Sequence, residues 1–431
     1  MLYDNLTINA VGHLEIAGQD AVLLAQEYGD PVWLMDEDKL RRNMRSYVRA
    51  MEKYFGVGAK PLYAGKASSF KTMYKILQEE GMYADCSSPG EIYTALAAGF
   101  PAEHIYFHGN NKTDEDIRYA LEKNVGYFIV DNFEELNQLN QFAAEYDKKQ
   151  NILLRLTPGT KVDTMEKINT GRLDVQFGVP IYEHLAHHFV KEALDGECLN
   201  LKGFHFHIGS QITDPEVYVE TFRTVLGFAQ EIRETYHYTM EVLDIGGGFG
   251  VQYVVSDQAM SVEEGICTLA QSLDTILAEY TYPKPQVLME PGRSIVADTT
   301  VTIYRVGTVK EIPGVRNYVT VNGGMTDNPR YALYESNYTV YLANRMEDEA
   351  DFLCTLAGRC CESGDILQKD IHLPKPVRGD YVAVLGTGAY NFSMASNYNR
   401  LPRPALVLLS QGTHRLAVRR ESYEDLIGQD I

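Results

Sequence analysis

The sequence lacks several features that would place the protein in common classes. It has a single tryptophan, and its 6 cysteines include no C-x-x-C pair. No apolar stretch approaches the roughly 18 residues of a membrane-spanning helix. The N-terminus, M-L-Y-D-N-L-T, has neither the basic region nor the apolar core of a signal peptide. Scattered cysteines are typical of reduced thiols, so we expect a cytoplasmic protein.

Positive charge is also scarce. The chain has 39 Lys and Arg residues against 59 Asp and Glu residues, a net charge of −20, and no basic run. This balance disfavours nucleic acid and anionic membranes as partners, and any anionic ligand needs local donors. The 431 residues exceed one ordinary domain. We therefore expect two domains with large cores.

A repeating unit fills the first two thirds of the chain. A short apolar run is followed by a polar turn and then by an amphipathic helix. The predicted strands are 62–64, 82–84, 105–107, 127–130, 152–156, 201–206, 242–245 and 287–289. Helical patterns lie between them, for example at 71–79, 90–98, 114–123 and 133–146. Eight such units predict an α/β fold with a TIM-type (β/α)₈ barrel rather than an open sheet.

Polar and reactive residue types collect after these strands. They include Lys66, Asp85, Ser87, His108, Arg155, His207, Gly246 to Gly248 and Glu290. In a barrel all these strand ends meet on one face, where active sites form. Because all of these residues follow the carboxyl ends of their strands, a chance distribution of reactive residue types is a poor explanation.

The remainder of the chain predicts a second domain. From about residue 291, strand-like segments at 301–309, 318–322, 381–385, 405–410 and 413–419 alternate with Gly and Pro. We predict a barrel over 36–290 and a C-terminal all-β domain over 291–431. Residues 1–35 have no place in the barrel, and we expect them to join the β domain. Within residues 1–55 we predict a helix at 21–28, a strand at 32–35, and a helix capped by Asp38.

Lys66 follows the first barrel strand, in K-P-L-Y-A-G-K-A-S-S. Gly65 breaks the strand, and Ser68 is predicted to cap the helix that begins near Phe70. We expect a partly desolvated Lys66, with a lowered pKa and an amine free to attack a carbonyl carbon. A lone loop lysine is more often simply a surface residue. The other residues at the strand ends favour the reactive interpretation.

Two further motifs are ambiguous when taken alone. The glycines in D-I-G-G-G-F-G could present backbone N–H groups to a phosphate, although a plain turn is the commoner explanation. A dinucleotide fingerprint would need a helix at once, and V-Q-Y-V-V follows instead. His205 and His207 are two apart on a strand and could bind a metal. No third ligand of zinc type is evident, so we expect no metal, with His207 in the mouth and His205 deeper, as a layer-filling residue.

Together the motifs resemble those of the fold-type III pyridoxal-phosphate decarboxylases. The motifs are Y-A-G-K-A, A-D-C-S-S-P-G-E, H-G-N-N-K, F-H-I-G-S-Q, D-I-G-G-G-F-G, E-P-G-R, R-Y-A-L-Y, C-E-S-G-D and G-A-Y-N-F-S-M-A-S-N-Y-N. The likeness runs from about Tyr28 to the C-terminus. It implies the alanine racemase/ornithine decarboxylase-like pairing of barrel and β domain, with pyridoxal 5'-phosphate as cofactor.

The resemblance also implies roles for individual residues. Lys66 would bind the cofactor covalently, His207 would stack on its ring, and Glu290 would pair with the pyridine nitrogen. The other implied cofactor-binding residues are Asp85, Ser210, Gly246, Gly247, Gly248, Gly292, Arg293 and Tyr390. Cys361 would deliver the proton after CO₂ leaves. A carboxylate beside the pyridine nitrogen favours its protonated form, which accepts electrons best.

For the substrate, the resemblance implies meso-2,6-diaminopimelate and its conversion to L-lysine and CO₂. Arg293, Arg330 and Tyr334 would hold the distal carboxylate, with Tyr390 nearby, and Glu362 would meet the distal ammonium. A guanidinium binds a carboxylate bidentately, which a simple diamine cannot exploit. The resemblance further implies a homodimer, in which Cys361 and Glu362 reach the partner's site.

Alternatives remain open at this point. The same fold could act on another basic amino acid, a carboxylated polyamine or a carrier-bound amino acid. The loop 167–178 reads V-Q-F-G where the family usually has S-K-F-G, and its role is open. A third possibility is a non-catalytic relative that only binds a partner. The presence of Lys66, His207, Glu290 and Cys361 together weighs against it.

Overall fold

A computed structural model describes residues 1–159, 174–182 and 184–431 of the chain. The predicted loop 167–178 therefore lies outside the described residues up to residue 173. The chain forms two compact units. One unit comprises Met1–Asn43, Val251–Asp257 and Ile295–Ile431, and the other comprises Met44–Gly250 and Gln258–Ser294. In the described part of the chain, no helix combines the length and apolar character needed to cross a membrane.

The N-terminal segment begins with a small antiparallel sheet. Its strands are β1 (Leu6–Ile8), β2 (Leu14–Ile16) and β3 (Gln19–Asp20). Helix α1 (Ala21–Tyr28), strand β4 (Val32–Asp36) and helix α2 (Glu37–Phe55) follow. The Asp20 side chain caps α1 by accepting hydrogen bonds from the N–H groups of Val22 and Leu23.

The predicted cap of α2 was wrong. The helix begins at Glu37, and the carboxylate of Asp36 accepts the Lys39 N–H at 2.9 Å. Asp38 instead accepts hydrogen bonds from the Ser410 hydroxyl and the Gln411 N–H. Asp36, Glu37 and Asp38 are consecutive acidic residues. Only Asp36 directly precedes the first helical residue, which is the position that an N-cap requires.

Eight parallel strands close into a barrel. They are β5 (Lys60–Ala64), β6 (Tyr83–Cys86), β7 (Ile105–Phe107), β8 (Tyr127–Val130), β9 (Gln150–Thr157), β11 (Leu199–His205), β12 (Val242–Asp244) and β13 (Gln286–Met289). The ring closes because β13 pairs with β5 and β8 pairs with β9. The short β10 (Val179–Pro180) pairs in parallel with the last two residues of β9, Leu156 and Thr157. The TIM-type barrel predicted from the sequence is confirmed.

The barrel helices follow the predicted pattern. They are α3 (Lys71–Glu79), α4 (Pro89–Ala97), α5 (Asp114–Glu122), α6 (Phe133–Glu145), α7 (Leu185–Asp195), α8 (Glu216–Tyr236) and α9 (Val262–Glu279). One apolar cluster joins side chains from six barrel strands, namely Leu62, Tyr106, Ile129, Leu153, Val242 and Leu288. Such packing makes the barrel interior a solid core that fixes the strand ends.

The C-terminal region is β-rich. Its strands are β14 (Thr300–Ile312), β15 (Arg316–Val321), β16 (Val340–Leu342), β17 (Phe352–Ala357), β18 (Ile366–Leu373), β19 (Tyr381–Leu385), β20 (Ala405–Ser410) and β21 (Thr413–Val418). The short helices are α10 (Arg293–Val296), α11 (Arg330–Tyr334) and α12 (Tyr423–Ile427). Strand β4 lies between β14 and β20, antiparallel to the first and parallel to the second. The N-terminal strand thus completes this sheet.

Candidate functional site

Lys66 lies in a single 3-10 turn, Gly65–Ala67, directly after β5. Its side chain is exposed, whereas Gly65, Ala67 and Ser68 are buried. The partial desolvation expected for Lys66 is therefore wrong for this structure, because the turn holds the side chain at the open end of the barrel. A β-carbon on Gly65 would stand 2.9 Å from the Tyr74 hydroxyl and 3.0 Å from the Asp85 carbonyl oxygen, so glycine avoids crowding in the turn.

Ser68 does not cap the following helix. Helix α3 begins at Lys71, and its N-cap residue, Phe70, has no side-chain cap hydrogen bond. The Ser68 hydroxyl oxygen is buried and has no hydrogen-bond partner among the described residues. Two residues, Ser69 and Phe70, separate Ser68 from the helix, which puts its side chain out of reach of the first turn.

A cluster of buried polar side chains occupies the carboxyl ends of the other strands. Its members are Asp85 in β6, His108 after β7, Arg155 in β9, His205 at the end of β11, Asp244 at the end of β12 and Glu290 after β13. Each is at most 9% exposed. Buried polar groups are normally hydrogen-bonded, so unpaired atoms here call for a physical explanation.

The Glu290 carboxylate is the centre of this cluster. Its Oε1 atom lies 2.9 Å from His108 Nε2 and 3.2 Å from His205 Nε2. His108 Nε2 also lies 3.8 Å from Asp85 Oδ1. These are ion contacts without hydrogen-bond geometry, since Asp85 Oδ1, His108 Nε2, both His205 ring nitrogens and Glu290 Oε1 have no hydrogen-bond partner in the described chain.

The cluster fixes the charge of Glu290. Burial alone would favour the neutral acid, but the electrostatic and hydrogen-bonding interactions with His108 and His205 outweigh it and hold the pKa of Glu290 well below its usual range. Burial and the nearby Glu290 raise the pKa of Asp244 well above its usual range. Burial lowers the pKa of His205 to about 4. The result is an ionised Glu290 beside a neutral Asp244.

His108, His205 and Glu290 have a spacing that the sequence did not predict. Among the described residues, they form one group whose possible ligand atoms all lie within 4.8 Å of one another. The histidine pair considered from the sequence was His205 with His207, which is a different set. Spacing of this kind suits either a cation or a donor group brought by a ligand, such as a protonated ring nitrogen.

His207 lies just past β11, beside the glycine loop. Its Nδ1 accepts the Gly247 N–H at 3.3 Å. Burial, followed by the positive charge of Lys66, lowers the pKa of His207 well below its usual value. A neutral ring near Lys66 is suited to stacking on a flat, partly cationic ligand.

Close backbone packing explains each glycine of the Gly246–Gly248 loop. A β-carbon on Gly247 would stand 1.9 Å from the Glu290 carbonyl oxygen, and one on Gly246 2.6 Å from the Phe206 carbonyl oxygen. Gly246 and Gly248 also have φ of 67° and 127°. The glycines bring the ends of β11, β12 and β13 together, which places this backbone beside Glu290.

Arg293 and Ser210 also connect the segments that follow β13 and β11. The Arg293 Nε and Nη2 atoms donate to the Ser210 hydroxyl oxygen at 3.2 and 3.1 Å. A β-carbon on Gly292 would stand 3.0 Å from the β-carbon of Ala64, next to the Lys66 turn. These contacts place Arg293 beside Ser210, and Gly292 beside the strand that leads to Lys66.

The remaining candidates lie in the β-rich unit. Arg330 begins α11 and is 5% exposed. Its Nη1 donates to the hydroxyls of Tyr253 and Tyr338 at 2.9 and 3.2 Å, and its Nη2 donates to Ser336 at 3.1 Å. These partners are hydroxyl groups and not carboxylates. A buried guanidinium surrounded by such groups retains a full positive charge for an anion.

Tyr334, Cys361, Glu362 and Tyr390 are more accessible. Tyr334 ends α11 and is half-buried, as is Tyr390, which has φ of 62°. Cys361 and Glu362 are exposed in the loop between β17 and β18, where the Asn399 side chain accepts the Cys361 N–H at 2.7 Å. The adjacent Cys360 is buried, and burial raises its pKa to about 11. Of the two cysteines, Cys361 is the accessible one.

His108 and His205 are the residues whose importance the sequence did not reveal. His108 was noted at a strand end without a role, and His205 was interpreted as a core residue. The position of His108 in the sequence could have indicated a role in the site. His108 immediately follows β7 and so belongs to the same ring of strand ends as Lys66 and Glu290.

Comparisons with known proteins agree with this geometry. Residues 38–297 match the family described as pyridoxal-dependent decarboxylase, pyridoxal binding domain. The chain is 43% identical to the diaminopimelate decarboxylase of Bacillus subtilis over 98% of this chain and 96% of that protein. It is also 43% identical to that of Staphylococcus aureus, over 98% of both chains.

A solved structure shows the same fold. Diaminopimelate decarboxylase from M. jannaschii in complex with L-lysine superposes with a TM-score of 0.91 at 34% identity, over 99% of this chain and 98% of that one. The strand-end lysine, the ionised Glu290 and the buried unpaired atoms around it fit a cofactor with an aldehyde and a protonated ring nitrogen. The chain belongs to the pyridoxal-dependent decarboxylases and uses pyridoxal 5'-phosphate.

Proposed function

We propose that the protein removes the α-carboxylate of meso-2,6-diaminopimelate, giving L-lysine and CO₂. The observation that carries this proposal is the Glu290 carboxylate, in contact with His108 and His205, at the barrel end that also presents Lys66. Pyridoxal phosphate, when bound, accepts the electron pair left by C–C cleavage. Curated relatives of the same length carry this activity in their names, and the M. jannaschii relative binds the product L-lysine.

The barrel residues supply binding and orientation. Lys66 holds the cofactor covalently, and Glu290 offers a carboxylate to the pyridine nitrogen. The neutral ring of His207 stacks on the cofactor. Asp85 lies in the same cluster, and Tyr390 completes the pocket. Backbone N–H groups of Gly246–Gly248 and Gly292, with Ser210 and Arg293, bind the phosphate.

Arg330 is the main argument for the substrate. A second carboxylate distinguishes diaminopimelate from lysine and ornithine. The buried Arg330 guanidinium donates to hydroxyl groups in the described part of the chain, which leaves its charge to bind that carboxylate. Arg293 and Tyr334 complete this clamp, and Glu362 pairs with the distal ammonium. A decarboxylase acting on a basic amino acid without a distal carboxylate is the runner-up.

The test is CO₂ release from a small panel of amino acids. We expect meso-diaminopimelate to be the best substrate, ahead of lysine, ornithine and arginine. Arg330→Lys should reduce kcat/KM for diaminopimelate by about 10²-fold, since a point charge cannot replace a bidentate fork. Equal kcat/KM for the variant and the wild type would remove Arg330 from the clamp and favour the runner-up.

The cofactor attachment has its own test. Reduction with borohydride followed by peptide mapping should recover the cofactor on Lys66. Recovery on another lysine contradicts the assignment, whatever the substrate proves to be.

We also propose a cytoplasmic homodimer in which Cys361 and Glu362 act in the partner's site. All six cysteines are free thiols, as in a reducing compartment. Cys361 and Glu362 are exposed on a loop, which suits contact with another subunit. A two-fold dimer would make that contact twice, with Cys361 delivering the final proton.

Mixing two inactive variants tests the shared site. Lys66→Ala and Glu362→Ala protein are dissociated and reassembled together, with tags to verify exchange. Random pairing makes half of the dimers mixed, and each mixed dimer has one intact site of two, so activity should return to roughly a quarter of wild type. Verified exchange without activity would mean that the loop serves its own subunit.

A further inference from the structure

Glu290 is held through one of its two oxygens by a pair of histidines. His108 Nε2 and His205 Nε2 both approach Oε1, at 2.9 and 3.2 Å. Oε1 is the oxygen that lacks a hydrogen-bond partner among the described residues, so these contacts fix the position of the carboxylate and leave Oε1 able to accept a hydrogen bond from a ligand.

The backbone fixes His108 tightly. Its N–H donates to the Cys86 carbonyl oxygen at 2.8 Å, which ties the end of β7 to the end of β6. Its ring meets the His205 ring edge-on, with centroids 5.1 Å apart. A side chain held in this way has little freedom to move, so it can impose an orientation on the group that it contacts.

His108 also separates two buried acids. Its Nε2 lies between Glu290 Oε1 at 2.9 Å and Asp85 Oδ1 at 3.8 Å. Two carboxylates without an intervening donor would repel each other at low dielectric. His205 lacks this bridging position, because among the described residues it contacts the carboxylate of Glu290 alone.

We propose that His108 is a positioning residue, which fixes the Glu290 side chain through its contact with Oε1 so that the carboxylate meets the pyridine nitrogen of pyridoxal phosphate. His205 supports the same oxygen from the neighbouring side. This inference rests on the proposed function only for the identity of the cofactor. It assigns His108 no contact with the substrate or with the reacting carbon.

A purely structural role is the competing explanation. It predicts loss of stability when His108 is replaced, without a specific effect on the cofactor nitrogen. The two explanations differ in a spectroscopic signal, the nitrogen-15 shift of pyridoxal phosphate labelled at the ring nitrogen. That signal reports protonation of the nitrogen independently of turnover.

The experiment compares His108→Phe with His108→Gln. Phenylalanine keeps a planar ring but removes the donor, whereas glutamine keeps a donor near the position of Nε2. In His108→Phe we expect the nitrogen signal to move towards the unprotonated form and cofactor affinity to fall about 10-fold, as for other groups that orient a ligating side chain. In His108→Gln we expect both values to return towards wild type.

A double-variant cycle with Glu290→Gln tests whether His108 affects the cofactor through Glu290. If His108 acts through Glu290, then His108→Phe should have no further effect on the nitrogen signal or the affinity once Glu290 is replaced. Fully additive effects would overturn the inference. An unchanged nitrogen signal in a folded His108→Phe holoprotein would also overturn it.

Results that contradict the proposed function differ from results that contradict the role of His108. A wild-type protein that binds no pyridoxal phosphate would contradict the cofactor assignment itself. A wild-type protein that binds the cofactor but releases no CO₂ from diaminopimelate would contradict only the substrate, and the test of His108 would still apply to it.

Discussion

Two buried groups of charged side chains lie on the same barrel and differ in how their atoms are satisfied. In the first, Lys112 Nζ donates to Glu135 Oε1 at 2.7 Å and to the carbonyl oxygens of Gly109 and Ile129, both at 2.9 Å. The second Glu135 oxygen accepts the Asp131 N–H at 3.0 Å. The second group is Glu290 with His108 and His205, where short contacts leave several buried atoms without hydrogen bonds.

The difference separates a structural ion pair from a binding site. The Lys112–Glu135 pair uses all three lysine donors and both carboxylate oxygens within the protein, so nothing remains for a ligand. The Glu290 group carries unpaired polar atoms whose desolvation is unfavourable until a further group arrives. Both groups are buried and place a glutamate beside basic residue types, and hydrogen-bond satisfaction is what distinguishes them.

The largest expected effect comes from neutralising the carboxylate of the second group. Glu290→Gln should lower kcat by about 10²- to 10³-fold, because a preorganised charge at the reacting group is lost. Glu135→Gln is the matched control, with the same change at the satisfied pair. Steady-state kinetics of folded protein should leave this control near wild type. Equal loss of activity in both variants would contradict the distinction.

The second-largest expected effect is a loss of stability when the Lys112–Glu135 pair is broken. Lys112→Met leaves Glu135 buried without a counter-charge and two carbonyl groups without a donor. We expect the free energy of unfolding to fall by roughly 3–5 kcal/mol, measured by urea titration of the apoprotein.

A double variant sharpens this result. Adding Glu135→Leu to Lys112→Met removes the uncompensated charge and should recover part of the lost stability. If the second substitution lowers the free energy of unfolding further, Glu135 must make another stabilising contact besides the one with Lys112.

Strand positions were predictable because their signals are local. The predicted strand 62–64 lies inside the observed Lys60–Ala64, and the predicted 127–130 coincides with Tyr127–Val130. Apolar runs bounded by Gly or polar turns fix a buried strand. Helix caps were less predictable. Asp38 and Ser68 are good capping residues, but a cap depends on which residue is the first helical one.

Membership of the site was partly predictable. The order of strands and helices places Lys66, Asp85 and Glu290 at one end of a barrel, whatever the details of packing. The role of His205 was not predictable, since alternate residues of a strand share a face and their depth depends on the stagger of the closed barrel. The segment Val251–Asp257, which belongs to the β-rich unit, carries no sequence signal of its own for that unit.

The smallest expected effect is the pH dependence of stability that His205 gives to the Glu290 group. Burial sets the pKa of His205 at about 4, against about 6.5 in an unfolded chain. Between these values the unfolded state binds more protons, so stability falls as pH falls through this window.

His205→Asn should remove this contribution. Between about pH 7.5 and about pH 5, the wild type should lose roughly 2 kcal/mol more than the variant, since linkage gives about 1.4 kcal/mol for each pH unit between the two pKa values. Urea titrations of both apoproteins at the two pH values provide the measurement, and the difference between differences cancels any packing cost of the substitution. Parallel losses in the two proteins would mean that His205 binds its proton equally in the folded and unfolded states, and Glu290 would then have a charged neighbour where we expect a neutral one.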